Sequence, residues 1–264
     1  MSRLIKARTD TGYQDLVGAG NGYTKFLRFG LIKLSAGQTH AARTEGFEAV
    51  AVILTGTATA AVENQRWENL GGRQSVFDGN PTSVYVPAFS DYEVVAETDV
   101  EIAVCIAATQ EKLEPFIVTP DEVDVSHRGE KNWKRTIRDI LTTSGDGRVS
   151  NIVIGETIND PGHWSSYPPH KHDGEFAPDE PNFEEIYHYR VDPPGGFGVQ
   201  LHYTKSREID EAHTVRDGDT YVIEKGYHPM AAAGDHSLYY LWMMAGDTGR
   251  KLNPYIDPDF TWLL

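Results

Sequence analysis

Cysteine is almost absent from this sequence of 264 residues, which contains one, Cys105, within the apolar segment VEIAVCIAAT. A single cysteine forms no intrachain disulfide and no cluster of thiolate ligands, and free cysteines are usually buried. The first residues, MSRLIKARTDTG, lack the apolar stretch of a signal peptide, and no run of about 18 or more apolar residues occurs. We therefore expect a protein of a reducing compartment, the cytoplasm, without a membrane partner.

Positive charge is also scarce. The chain has 24 Lys and Arg against 39 Asp and Glu, a formal net charge of −15. A surface of this sign repels nucleic acids and anionic membranes, so we expect neither as a partner. The glycine-rich segments GAGNG and PPGGFG lack the strand, GxGxxG and helix context of a dinucleotide site. The sequence therefore predicts no nucleotide and no organic cofactor.

The composition favours β-structure. Glycine, proline and tyrosine are frequent, at 25, 14 and 13 residues, and short apolar or alternating runs are separated by turn residues. This pattern is typical of an all-β sandwich or barrel. The two halves also look like loose copies, each with a histidine-bearing segment followed by an apolar strand that begins with glutamate. In this interpretation Glu48 of FEAVAVILTG corresponds to Glu185 of EEIYHYRVD.

The repeat predicts two domains, residues 1–115 and 149–264, joined by a linker over residues 116–148. Within the linker, the segment WKRTIRDIL carries apolar residues four positions apart, a spacing compatible with a short helix. The acidic segment HDGEFAPDEPNFEE has no strand period, and we expect it to form a surface loop.

A pair of histidines is the most informative feature of the second half. His170 and His172 in SSYPPHKHDG are two positions apart, so on a β-strand both imidazoles point to one face. Together with Glu184 or Glu185 and with His228 of EKGYHPMAAAG, they predict a divalent-metal site suited to Zn, Mn, Fe, Co or Ni. Alternation along the strand separates the two glutamates but does not decide which of them faces inward.

Four segments of the second half, GHWSSYPPHKHD, EEIYHYR, GFGVQLHYT and TYVIEKGYHPMAAAGDHSLYYLWMMAG, closely resemble the 5-deoxy-glucuronate isomerase family of inositol catabolism. That family is related to the 5-keto-4-deoxyuronate isomerases, and both are bicupins. The resemblance spans nearly the whole chain and implies an all-β bicupin of two jelly-roll β-barrel (cupin) domains. It also implies a ligand set in which the glutamate opens a strand reading E-x-Y, namely His170, His172, Glu185 and His228.

Two features depart from the general cupin pattern. The gap between His172 and Glu185 is longer than usual because of the acidic loop, and KGYHP has G-x-H in place of G-x-x-H. The first half keeps only one histidine in the matching segment, His40. We therefore interpret it as a degenerate cupin with a role in packing or assembly, and we expect no second metal site.

The resemblance implies that 5-deoxy-D-glucuronate is isomerised to 5-dehydro-2-deoxy-D-gluconate. As the ion, Zn and Mn suit the predicted ligands about equally well. An enediol route requires a base near C2, and the second half offers three candidates: Tyr187, His202 and His213. The substrate is a sugar acid, so a cation is expected to meet its carboxylate. The candidate cations are Arg190, Arg216 and Lys225, and Gln200 is a further candidate for substrate binding.

Three other functions stay open at this point. The chain could isomerise a different deoxy-uronate, act as a non-haem iron dioxygenase, or bind sugars without catalysis. A complete set of metal ligands argues against the last of these. We expect a homo-oligomer, since cupins commonly associate.

Overall fold

The computed structural model describes residues 2–264, and over this range the chain is built almost entirely of β-strands. The strands up to residue 118 are β1 (Leu4–Ile5), β2 (Gly12–Val17), β3 (Leu27–Leu34), β4 (Thr39–Arg43), β5 (Phe47–Thr55), β6 (Thr57–Val62), β7 (Gln65–Gly71), β8 (Ser83–Val86), β9 (Asp91–Ala96), β10 (Val100–Ala108) and β11 (Phe116–Val118).

The later strands are β12 (Asp124–Arg128), β13 (Arg135–Leu141), β14 (Val153–Asn159), β15 (Trp164–Ser165), β16 (His170–Lys171), β17 (Phe183–Asp192), β18 (Gly198–Tyr203), β19 (Asp210–Val215), β20 (Thr220–Ile223), β21 (Met230–Ala232), β22 (Ser237–Gly246) and β23 (Tyr255–Ile256). Three short 3-10 helices cover Pro120–Glu122, Thr143–Gly145 and Pro258–Leu263. Residues 2–264 include no helix long and apolar enough to cross a membrane.

Each half of the chain consists of facing antiparallel sheets. In the first half, a six-stranded sheet (β11-β8-β5-β10-β3-β2) lies opposite a four-stranded sheet (β4-β9-β6-β7). In the second half, a seven-stranded sheet (β1-β20-β17-β22-β14-β13-β12) is accompanied by a four-stranded sheet (β15-β21-β18-β19) and the pair β16-β23. The all-β bicupin expected from the sequence is confirmed.

Three apolar cores follow from the alternation of side chains along the strands. One fills the first half, another fills the second half, and the third lies between the two large sheets and joins the halves. On β17, Ile186 belongs to the joining core, whereas Tyr187 and Tyr189 belong to the interior of the second half. Glu185 shares the parity of the tyrosines, so it faces the interior of the second half.

The expected helix in the linker is wrong. Arg135–Leu141 is strand β13, which pairs with β14 on one side and with β12 on the other, so two strands of the predicted linker belong to the seven-stranded sheet. The alternation of the segment explains this outcome, because Ile137 faces the second-half interior while Ile140 lies in the joining core. The segment therefore follows the two-residue period of a strand, although its apolar residues are also spaced four positions apart.

Two short strands cross the predicted domain boundaries. β1 lies at the start of the chain but pairs with β20 of the second half, with Leu4 opposite Tyr221. β11 lies within the predicted linker but pairs with β8 of the first half. The two halves are thus tied by exchanged segments as well as by the joining core.

Candidate metal centre

Three of the four proposed ligands meet inside the second half. The ligating atoms of His172, Glu185 and His228 all lie within 4.8 Å of one another, and all three residues are buried. Oε2 of Glu185 is 3.1 Å from Nε2 of His172 and 3.2 Å from Nε2 of His228. The three residues come from segments far apart in the sequence: the end of β16, the interior face of β17 and the turn before β21.

His170 lies beside this cluster. Its ring centroid is 5.1 Å from that of His228 and 6.4 Å from that of His172, and the side chain lines the same cavity. Burial, followed by the neighbouring imidazoles of His228 and His172, lowers the pKa of His170 to about 3. The ring is therefore neutral, which is the form that ligates metals.

Backbone carbonyls orient all three imidazoles in the same way. Nδ1 of His170, His172 and His228 lies 3.1, 3.2 and 2.9 Å from the carbonyl oxygens of Pro168, Phe183 and Gly226. Because a carbonyl oxygen only accepts, each Nδ1 carries the proton and donates. Each Nε2 is then left with its lone pair free, and this is the tautomer that holds a metal through Nε2.

These residues fit a divalent cation. Nε2 of His228 is buried without a hydrogen-bond partner, although it lies close to the Glu185 carboxylate. Burial opposes the charge on Glu185, but the adjacent imidazoles of His172 and His228 outweigh it and lower its pKa to about 2. A buried carboxylate that faces imidazole lone pairs at about 3 Å is stabilised by a cation between them.

The acidic loop after His172 supports the cluster through Lys171. Its ammonium group is buried, 2.5 Å from Asp173 Oδ1 and 3.0 Å from both carboxylate oxygens of Glu180, and lies 4.8 Å from the centroid of the Phe176 ring. The other carboxylate oxygen of Asp173 accepts a hydrogen bond from the backbone N–H of Gly226, at 2.8 Å. The loop therefore connects the strand of the paired histidines to the turn that carries His228.

Glu184 faces the other way. Its carboxylate accepts hydrogen bonds from the backbone N–H groups of residues 25–27, in the first half, at 2.7–3.2 Å. In the first half, the Glu48 carboxylate accepts hydrogen bonds from the backbone N–H groups of residues 150–152, in the second half, at 2.6–2.8 Å. The expected match of Glu48 with Glu185 is therefore wrong by one residue. Glu48 corresponds to Glu184, and Ala49 stands where the second half has Glu185.

Two other predicted residues are close to the cluster. Tyr187 lines the cavity, with its hydroxyl 2.8 Å from Ser166 Oγ and its ring centroid 6.1 Å from that of His228. Gln200 is fully buried and supports the cluster from behind: its amide donates to the carbonyl oxygen of His228 at 2.9 Å and accepts from the hydroxyl of Tyr189. Gln200 therefore positions His228 and does not line the cavity.

The remaining predicted residues lie outside the cavity. His202 is buried, with Nε2 donating to the carbonyl oxygen of Lys225 at 2.5 Å and Nδ1 3.1 Å from the Tyr221 hydroxyl. His213 pairs with Glu211, 2.8 Å away. Neither His202 nor His213 lines the cavity that contains the paired histidines.

The predicted substrate cations also lie elsewhere. Arg190 shares the parity of Glu184 and contacts the first half, where its guanidinium lies 2.6 Å from Glu101. The ammonium group of Lys225 is partly exposed, 3.4 Å from Glu208. Neither lines the cavity that contains the histidines.

The cavity has a volume of about 490 Å³. Besides the metal-site residues and Tyr187, polar side chains that the sequence analysis missed line it, among them Arg128, Arg135, Asp139, Thr157 and Tyr240. Burial raises the pKa of Asp139 above its ordinary value. Three of these residues lie on β12 and β13, in the segment expected to be a linker, which explains why they were missed.

The two-part β-fold and the histidine and glutamate cluster in one half define a bicupin with a candidate metal centre. The chain matches the model of the KduI/IolB family over residues 5–263 and belongs to that family. It is 40% identical over 241 residues to a 5-deoxy-glucuronate isomerase of Geobacillus kaustophilus, covering 91% of this chain and 86% of the relative. The corresponding protein of Bacillus subtilis strain 168 is 35% identical over 249 residues, covering 94% of this chain and 91% of the relative.

Solved structures agree with this assignment. An IolB-like protein from Salmonella typhimurium superposes with a TM-score of 0.92 at 31% identity, covering 98% of both chains. An oxalate decarboxylase from Lactobacillus farciminis, crystallised with formate, superposes with a TM-score of 0.65 at 11% identity, covering 96% of this chain and 86% of the other. The second likeness concerns the fold alone.

Proposed function

We propose that this protein is a metal-dependent aldose–ketose isomerase that converts 5-deoxy-D-glucuronate to 5-dehydro-2-deoxy-D-gluconate in inositol catabolism. The observation that carries the proposal is the buried cluster of His172, Glu185 and His228, of which His172 and Glu185 line a cavity together with His170. The relatives named 5-deoxy-glucuronate isomerase, matched over nine-tenths of this chain, support the choice of substrate.

The cluster selects the class of ion. Three imidazoles and one carboxylate suit a divalent transition metal, and Zn and Mn match this set of donors. When bound, such an ion supplies a Lewis acid for the carbonyl and hydroxyl oxygens of the substrate. The expected cytoplasmic location and homo-oligomeric state stay predictions.

The chemistry needs no external oxidant or reductant. The aldehyde at C1 and the hydroxyl at C2 become a hydroxyl at C1 and a ketone at C2. In a route through an enediol, a base removes the proton from C2, a proton is returned to C1, and the O2 proton moves to O1. Side chains at the cavity wall must therefore accept and return protons within hydrogen-bond reach of these carbons.

We assign the proton transfer at carbon to Asp139. Among the described residues that line the cavity, the carboxylates are Glu185, already engaged by the imidazoles, and Asp139. The Asp139 carboxyl is partly buried, and this burial raises its pKa, which makes it a stronger base than an exposed aspartate. The hydroxyl of Tyr187, next to Ser166, is placed to hydrogen-bond a substrate oxygen.

The direct test is to incubate metal-loaded protein with 5-deoxy-D-glucuronate and to follow the products by NMR. The proposal expects the 2-ketose without consumption of dioxygen, which also separates an isomerase from a dioxygenase. The Glu185→Gln variant, carrying the same fold without the ligand charge, is the matched control and is expected to be inactive. Absence of ketose from metal-loaded wild-type protein would overturn the proposal.

A further inference from the structure

Arg135 is a partly buried cation at the cavity wall that forms no ion pair with any carboxylate among residues 2–264. One Nη atom donates to the carbonyl oxygen of Trp133 at 3.2 Å, and the guanidinium lies 5.9 Å from the centroid of the Trp133 ring. Five other buried or partly buried arginines pair with a carboxylate, namely Arg3, Arg73, Arg138, Arg190 and Arg250. In a chain of net charge −15, an arginine without such a partner at a cavity wall indicates a site for an anionic ligand.

A second cation stands directly beside it. Arg128 on β12 is the register partner of Arg135 on β13, and both line the cavity. Like charges directly opposite each other on neighbouring strands destabilise a sheet. Asp139 shares the same face of β13, yet it forms no ion pair with either guanidinium in the part of the chain that the structure describes. An anion bound between the two guanidinium groups would relieve their repulsion.

Hydroxyl groups lie between the imidazoles and this pair of arginines. The Tyr187 ring is 6.1 Å from His228 and 4.6 Å from Tyr240, by their centroids. The hydroxyls of Tyr187 and Tyr240 are hydrogen-bonded to Ser166 and Ser165, and the charge of Arg135 interacts with both tyrosines. The ring contacts thus lead from His228 through Tyr187 to Tyr240, and the charge of Arg135 interacts with these two tyrosines.

This order matches the functional groups of an open-chain sugar acid, which carries a carbonyl at C1, hydroxyls along the chain and a carboxylate at C6. The cavity, of about 490 Å³, lies within the range of sites for small ligands. A guanidinium also matches a carboxylate in shape and donates to both of its oxygens.

We propose that Arg135, with Arg128, binds the substrate carboxylate and so sets which end of the sugar acid reaches the metal site. The inference rests on the proposed function and deepens it. It replaces Arg190 and Lys225, which lie outside the cavity, as the carboxylate-binding residues.

The test compares Arg135→Gln with Arg135→Lys and with Arg66→Gln, a control at an exposed arginine of the first half. Two probes separate charge from shape: D-gluconate, which carries a carboxylate, and D-glucitol, its uncharged counterpart. Their binding to metal-loaded protein is measured by calorimetry, together with KM and kcat for 5-deoxy-D-glucuronate and the metal content.

We expect Arg135→Gln to weaken gluconate binding and to raise KM by about 10- to 100-fold, the cost of losing charge-assisted hydrogen bonds. Glucitol binding, metal content and the Arg66→Gln control should stay at the wild-type level, and Arg135→Lys should recover part of the affinity. Unchanged gluconate binding in Arg135→Gln, no gluconate binding by the wild type, or equal losses for both probes would each overturn the inference.

The result also distinguishes this inference from the proposed function. If wild-type protein fails to isomerise 5-deoxy-D-glucuronate while gluconate binding still depends on Arg135, the anion site stands and the assigned reaction fails. If the wild type is active and Arg135→Gln has an unchanged KM, the reaction stands and the anion site fails.

Discussion

Glu48 and Glu184 hold matching positions in the two halves of the chain, and each carboxylate accepts three backbone N–H groups from the opposite half. Both follow a phenylalanine near the start of a central strand, and both point into the joining region between the large sheets. The residue that follows each of these glutamates points into the interior of its own half. There the first half has Ala49 and the second half has Glu185, so the first half has an alanine where the second half has a candidate metal ligand.

This arrangement predicts that neighbouring glutamates have separate functions. Glu184→Ala leaves three buried or partly buried N–H groups without their acceptor, and we expect it to lower the free energy of unfolding by about 3 kcal/mol. Urea unfolding of the metal-free protein measures this effect. Metal content after refolding should match that of the wild type. A Glu184→Ala protein as stable as the wild type would contradict the prediction.

Glu185→Gln should give the opposite result. It removes the charge that faces His172 and His228, so the metal content measured by elemental analysis should fall to background while the metal-free protein keeps its fold. The circular dichroism spectrum of the metal-free variant checks the fold. Retention of one equivalent of metal by Glu185→Gln would show that the carboxylate is not a ligand.

Asp139 should control the dependence of kcat on pH. Burial raises its pKa, and only the deprotonated carboxylate accepts a proton from C2, so wild-type activity should fall as the pH decreases through that pKa. Asp139→Asn should lower kcat by about 100-fold or more and remove this acidic limb. The measurement is kcat against pH for the two proteins, both loaded with metal. An unchanged profile in the variant would exclude Asp139 as the base.

His202 should make stability depend on pH. Burial lowers its pKa to about 4, against 6.5 in the unfolded chain, so the folded state favours the neutral ring. The neutral His202 ring contributes roughly 3 kcal/mol to the free energy of unfolding. This contribution is complete above pH 6.5 and is lost as the pH falls from 6.5 to 4. Unfolding of metal-free wild type and His202→Gln between pH 7 and 4 isolates this difference. If the free energy of unfolding changes with pH in the same way in both proteins, His202 is not the source of the pH dependence.

Much of the metal centre could be predicted from sequence because its information is local. Two histidines two positions apart share a face of a strand, and the resemblance to the isomerase family selected Glu185 and His228. The inward direction of Glu185 depends on which side of β17 meets the other half, and only the packing of Ile186 against the joining core decides that. The mismatch of Glu48 with Glu185 has the same origin, since a shift of one residue reverses the face of every side chain.

The rest of the cavity could not be predicted because its second wall comes from β12 and β13. The apolar residues Trp133, Ile137 and Leu141 of WKRTIRDIL are four positions apart, which favours a helix, and the positions between them on the same face of a strand are charged. Arg135 and Asp139 look like solvent-exposed linker residues in the sequence, and they face the site only after β13 joins β14. The sequence offers His202 and Gln200 as candidates for contact with the substrate, but in the fold their side chains hydrogen-bond the backbone carbonyl oxygens of Lys225 and His228.

The most direct test of a single metal centre that drives isomerisation is a titration of activity with metal. Protein freed of metal by a chelator receives increasing equivalents of Zn²⁺ or Mn²⁺, and the conversion of 5-deoxy-D-glucuronate is measured at each step. Activity should rise from background and reach its plateau at one equivalent per chain. Full activity in the chelated protein, or a plateau only at two equivalents, would contradict a single metal centre in the second half.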